Sequence, residues 1–102
     1  MGDRAIVRFP DGDSGVEVYL HWHAEDVPTW LHDAAPRMRK GDASYAAARF
    51  VGYCHDQIEG GLSLGVMPMG TYCDGVQYTV DCSTGRVDAP SGKAFTIKMG
   101  EF

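Results

Sequence analysis

No stretch of the 102 residues approaches the roughly 20 consecutive apolar side chains that a helix needs to cross a bilayer. Basic residues are scarce: 9 Lys+Arg stand against 14 Asp+Glu, a formal net charge of -5. That balance argues against broad binding to nucleic acid or to an anionic membrane surface, since both select an excess of Lys and Arg. Cysteines number 3, an odd count without a framework spacing, so a reduced, cytoplasmic chain is the simpler expectation. Met1 to Ala5 lack the apolar core of a secretory leader, and Ile6 stands where a myristoylation signal carries a small hydroxyl residue. The HExxH, CxxC and GxSxG signatures are missing too, as is any glycine-rich phosphate cradle. What is there is 44% hydrophobic and 11% aromatic, enough for one packed core. The length is too short for a second, so residues 1–102 read as a single domain.

The hydrophobic period changes along the chain. Residues 4–9 and 16–22 alternate, and the turn formers Pro10-Asp11-Gly12-Asp13-Ser14-Gly15 lie between them, which predicts a β-hairpin. Val16, Val18, Leu20 and Trp22 share one face of the second strand, with Glu17, Tyr19 and His21 on the other. Then Val27, Trp30, Leu31, Ala34 and Met38 follow helical spacing behind Asp26, an N-cap residue, and Pro28 in the first turn. Pro36 predicts an early end near Ala35. Gly41 stops this segment and Asp42 caps a second helix, on which Ala43, Ala47, Phe50, Val51, Cys54 and Ile58 form one apolar stripe before Gly60-Gly61. Short strands are expected around residues 62–66, 76–82 and 86–88. Phe95, Ile97 and Met99 suggest a final edge strand or an ordered tail. The order β-β-α-α-β-β-β predicts an α+β domain, an antiparallel sheet with both helices packed on one face. If one disulfide forms, the hairpin between Cys73 and Cys82 is where the spacing allows it.

Few residues carry chemistry. His21 and His23, two apart on a strand, share a face, and His32, His55, Glu25 or Asp26 offers a third metal ligand. The spacing supplies only two of the three or four ligands required, so no metal and no cofactor is expected. The segment from Asp11 to Gly15 begins like a calcium loop but has Gly15 at the fifth position and Trp22 at the twelfth. Cys54 and His55 are neighbours on a helix and diverge by about 100°, which separates nucleophile from base. Arg37, Arg39 and Lys40 complement the C-terminal end of the first helical segment. The acidic residues Asp11, Asp13, Glu17, Glu25, Asp26, Asp33 and Asp42 crowd the first half. They read either as a solvated surface or as a negative patch presented to a basic partner.

Met1 to Ala5, Tyr19 to Trp22, and the capped helix opening at Asp42-Ala43-Ser44-Tyr45 carry a resemblance. The chain resembles a family of small proteins from phages, prophages and bacterial genomes that begin Met-Gly-Asp-Arg-Ala-Asn and have a His-Trp-Gly-Gly step after the second strand. Ile6 and His23-Ala24 depart from that pattern, so the second histidine is not a family feature. The resemblance implies a mobile-element context and a host-cell cytoplasm, with no activity attached to any residue. The expected function is a non-enzymatic, stoichiometric inhibitor of a host defence nuclease complex, of the anti-CRISPR kind. It would bind the complex's basic nucleic-acid-binding surface through the acidic residues above, without contacting nucleic acid or membrane itself. A small metal-dependent hydrolase using His21 and His23 is the competing reading, and a homodimeric phage accessory protein with paired edge strands is the third.

Overall fold

The computed structural model describes residues 3–58, 60–71 and 74–101. The first two alternating segments form the expected hairpin. β1 (Ala5–Asp11) and β2 (Ser14–Leu20) pair antiparallel from Ala5↔Leu20 to Asp11↔Ser14. Gly15 takes φ +119°, and a Cβ there would run into the Phe9 carbonyl, so this return accepts only glycine.

Two helices follow. α1 (Val27–Ala34) buries Val27, Trp30, Leu31 and Ala34, and ahead of Pro36 the chain tightens into a 3₁₀ turn, Ala35–Arg37. Asp26 does not cap α1 as expected. A 3₁₀ turn, Ala24–Asp26, already leads into the helix, and the Asp26 carboxylate meets His23 Nδ1 at 3.1 Å instead. Asp42 does cap α2 (Ala43–Gln57), accepting the Tyr45 N–H at 3.1 Å. Ile58 is already extended, so α2 ends before the Gly60-Gly61 pair expected to stop it. Among the described residues no helix is long and apolar enough to cross a membrane.

The remaining chain forms β3 (Leu64–Pro68), β4 (Val76–Asp81), β5 (Arg86–Asp88) and β6 (Ala94–Thr96), one strand more than the expected order. All six strands join one sheet in the order β3-β2-β1-β4-β5-β6. The class is α+β, with a correction: β1 and β4 run parallel, from Ala5↔Val76 to Arg8↔Thr79, within an otherwise antiparallel sheet. Connectivity is the cause. β2 occupies one edge of β1, and β3 pairs beyond β2, so β3 finishes at the end of the sheet where β1 finishes. To begin β4 at Val76 beside Ala5, the chain has to cross the sheet end to end, and β4 then runs the same way as β1.

That crossing buries part of the sheet's second face as well. The helices cover the side carrying Val7, Phe9, Val18, Leu20, Tyr78, Val80 and Val87, and the Phe9 and Phe50 rings sit 5.9 Å apart there. On the other side Ile6 and Glu17 are fully buried. Gly70 N–H donates to Glu17 Oε2 at 2.8 Å, Arg8 Nε donates to the same oxygen at 2.8 Å, and Asp74 pairs with Arg4 at 2.6 Å, which pins the crossing segment onto the sheet. Tyr72 and Cys73 of this connection lie outside the described residues, and the Cys73–Cys82 pairing with them. At the C-terminal end Ile97 and Met99 are buried, while Gly100 accepts the Lys40 N–H at 2.8 Å and donates to the Ala35 carbonyl at 3.1 Å. Residues 97–100 thus form an ordered tail behind β6.

Candidate functional site

β1 and β4 are paired only as far as Arg8↔Thr79, yet they continue to Asp11 and Asp81. Beyond that point β1 stays with β2 and β4 stays with β5. The two parallel strands splay, and a cleft of about 420 Å³ opens between their C-terminal ends. Divergence of parallel strands opens ligand crevices at the same place in open α/β sheets. The walls carry Pro10, Asp11 and Gly12, then Thr79 to Ser83, then Asp88, with Gly41 and Ala43 from the start of α2. Gly41 N–H donates to the Cys82 carbonyl at 2.8 Å and holds the start of α2 against this end of the sheet.

The cleft is acidic. Asp11, Asp81 and Asp88 line it, Asp13 is exposed on the adjoining hairpin turn, and Asp42 caps α2 beside the rim. The Cys82 thiol registers their field: burial first, then the carboxylates of Asp81, Asp42 and Asp11, push it up to about 11. It is protonated at neutral pH and serves poorly as a nucleophile. Asp81 accepts from the Ser83 hydroxyl at 2.6 Å and the Ser83 N–H at 3.0 Å, and these bonds hold its carboxyl below the ordinary aspartate value. Asp88 is paired with Arg86 at 2.9 Å, and Asp42 lies 3.5 Å from Arg39. Among the described residues no cation meets Asp11 or Asp13. Such an arrangement accepts hydrogen bonds from an ammonium or guanidinium group.

No protein-family model, curated protein or solved structure matches this chain.

The acidic residues singled out from the sequence are not brought together. Asp11 lies in the cleft and Asp13 and Asp42 beside it. Glu25 and Asp26 sit at the opposite end of the sheet, where the Ala24 and Glu25 N–H groups donate to Asp3. Asp33, on α1, accepts the Tyr53 hydroxyl at 2.9 Å. Glu17 is corrected outright: its side chain is 0% exposed and bound to Arg8 and Gly70, because the β3–β4 connection crosses the face it points from. It is not presented to a partner. Asp81 and Asp88 were missed because the density of carboxylates in the first half outweighed single ones later. The available signal was Asp81-Cys82-Ser83, an aspartate two residues before a serine at the end of an alternating strand.

His21 and His23 do not converge. β2 ends at Leu20, so the two-residue repeat that would put both on one face stops before them. His21 stacks on Trp22 at 5.1 Å, whereas His23 adopts φ 77° and packs against Trp30 at 5.3 Å. Trp22 leaves the core face for the same reason and is 47% exposed. Among the described residues no three or more His, Cys, Asp or Glu side chains come together to hold a metal ion. Cys54 is buried on the apolar stripe of α2, and desolvation pushes its thiol up to about 12, while His55 faces solvent.

Proposed function

We propose that this domain is a non-catalytic binding module that seats a Lys- or Arg-presenting protein surface in the cleft between the splayed ends of β1 and β4. One observation carries the reading: Asp11, Asp81 and Asp88 all line one solvent-open cleft, Asp13 is exposed on the adjoining hairpin turn, and Asp42 caps α2 next to the lining residues Gly41 and Ala43. A net charge of -5 draws a basic partner from a distance, and the cleft gives that attraction a place to dock. The resemblance to phage and prophage proteins favours a host nucleic-acid-handling complex as the partner. The domain then occupies the basic channel in place of nucleic acid, as an anti-CRISPR-type inhibitor does. His21 and His23 have no part in this reading.

The test is capture of host-lysate proteins on the immobilised domain, compared with an Asp11→Asn, Asp13→Asn, Asp88→Asn variant. These changes keep size and turn chemistry and leave the Asp81 turn intact. The expected result is retention of basic proteins by the parent domain, their release as salt shortens the screening length to ~3 Å near 1 M, and a slower on-rate on the variant. Equal capture by both forms, or capture indifferent to salt, overturns the reading.

A further inference from the structure

The two edges of the sheet are treated differently. β6 is three residues long, has Lys93 and Lys98 close on either side, and runs into the buried tail. Short strands and lysines are the usual means of keeping an edge from pairing. β3 is guarded less: the chain carries no charged residue from Gly60 to Cys73, and the one edge-blunting residue of the strand, Pro68, stands at its last position. Val66 is 48% exposed and Met67 39%, on opposite faces of the strand. Between this edge and α2 lies an apolar groove of about 360 Å³ whose lining includes Val16, Ala48, Val51 and Val66.

The hydrogen-bond register shows what the free edge offers. His21 N–H donates to the Ser63 carbonyl and Met69 N–H to the Gly15 carbonyl, so the odd-numbered residues of β3 direct their backbone groups at β2. Leu64, Val66 and Pro68 therefore turn theirs outward, and the Pro68 carbonyl, which already accepts the Thr71 hydroxyl at 2.6 Å, has a second lone pair to offer. We propose that β3 pairs antiparallel with β3 of a second copy of this chain, about a dyad at Val66. In that register Val66 exchanges both bonds with its copy, and each Leu64 N–H finds the Pro68 carbonyl opposite. The donor that Pro68 lacks falls at the margin, and every outward N–H of the strand is satisfied. The net charge of -5 on each copy opposes the approach at long range, but the two paired edges add nothing to that repulsion, since both are uncharged from Gly60 to Cys73, and it fades as salt shortens the screening length.

The dyad stands normal to the sheet, so both pairs of helices lie on one face and the two acidic clefts point to opposite ends. Pairing and cleft binding do not compete, and this inference stands independently of the function proposed above. A five-residue edge is about 17 Å long and covers on the order of 400 Å² per copy, below the ~800 Å² of a standard interface. The dimer is accordingly weak, with a dissociation constant on the order of 10⁻⁵ to 10⁻⁴ M.

Sedimentation of the full chain from about 5 µM to about 1 mM tests this, together with amide hydrogen exchange resolved by residue. The expected result is a concentration-dependent dimer in which the Leu64 and Val66 amides become slow to exchange. Val66→Lys should abolish it, and Val76→Lys, at an exposed apolar site on β4, should not. Because exchange is read on the unaltered chain, a Val66→Lys variant that fails to fold leaves the test decisive. A monomer at the highest concentration, free exchange at Leu64 and Val66 within a dimer, or a folded Val66→Lys variant that still dimerises overturns the proposal.

Discussion

Replacing Glu17 with alanine removes the carboxylate that ties the β3–β4 connection to the sheet. Glu17 is 0% exposed and its ion-pair partner Arg8 18%. Removing one member of a fully buried pair costs about 3–5 kcal/mol, because the other charge is left without compensation. Arg8 retains some access to water and keeps Gln77 on Nη1, which brings that loss toward about 2 kcal/mol. The Gly70 N–H loses its acceptor as well, a further ~1 kcal/mol. The expected destabilisation is about 3 kcal/mol out of the roughly 5–15 kcal/mol available to a domain of this size, with Tm lower by roughly 10–20 °C. Urea melts of the parent, Glu17→Ala, Glu17→Gln and an Arg8→Met, Glu17→Leu double variant separate the contributions. Glutamine keeps an acceptor for Gly70 and should lose less. The double variant removes both charges of the pair and should recover at least half of the alanine loss. If Glu17→Ala melts within about 0.5 kcal/mol of the parent, as surface substitutions do, the carboxylate is hydrated and the crossing of that face is wrong.

Other consequences are equally direct. Phe50 is fully buried against Phe9, so Phe50→Ala should cost about 3–5 kcal/mol by leaving a cavity, read in the same melts. Burial raises the Cys54 and Cys82 thiols from 9.0 to about 12 and about 11, so the folded state holds protons that the unfolded chain releases. Stability from this source is complete below about pH 9 and is lost as pH rises through 11 and 12. Peptide mapping after alkylation at neutral pH should find both thiols unmodified until denaturant is added, and prompt labelling of either would contradict their burial. Asp81 runs the other way: the Ser83 bonds lower it below 3.8, so its contribution is present above that pH and disappears as pH falls through the folded value. A carboxyl titration followed by NMR should place its midpoint below 3.8, and Ser83→Ala should move it upward.

What the chain itself determined is what neighbours in sequence decide. The period-two segments became β1 and β2, the apolar stripe from Ala43 to Cys54 became the buried side of α2, and Pro36 and Asp42 punctuated the helices where their lost donor and capping carboxylate require. Tertiary structure decided the rest. Whether Glu17 meets solvent depends on a connection that starts some fifty residues later, at Gly70. Whether Asp11 and Asp81 share a cleft depends on β4 choosing the free edge of β1, seventy residues away along the chain. Alternation reports that a strand has two faces, but it carries no information on strand order or on what lies over each face. His21 and His23 show the same limit from the other side, since a repeat of two has meaning only while the strand lasts, and β2 ends at Leu20.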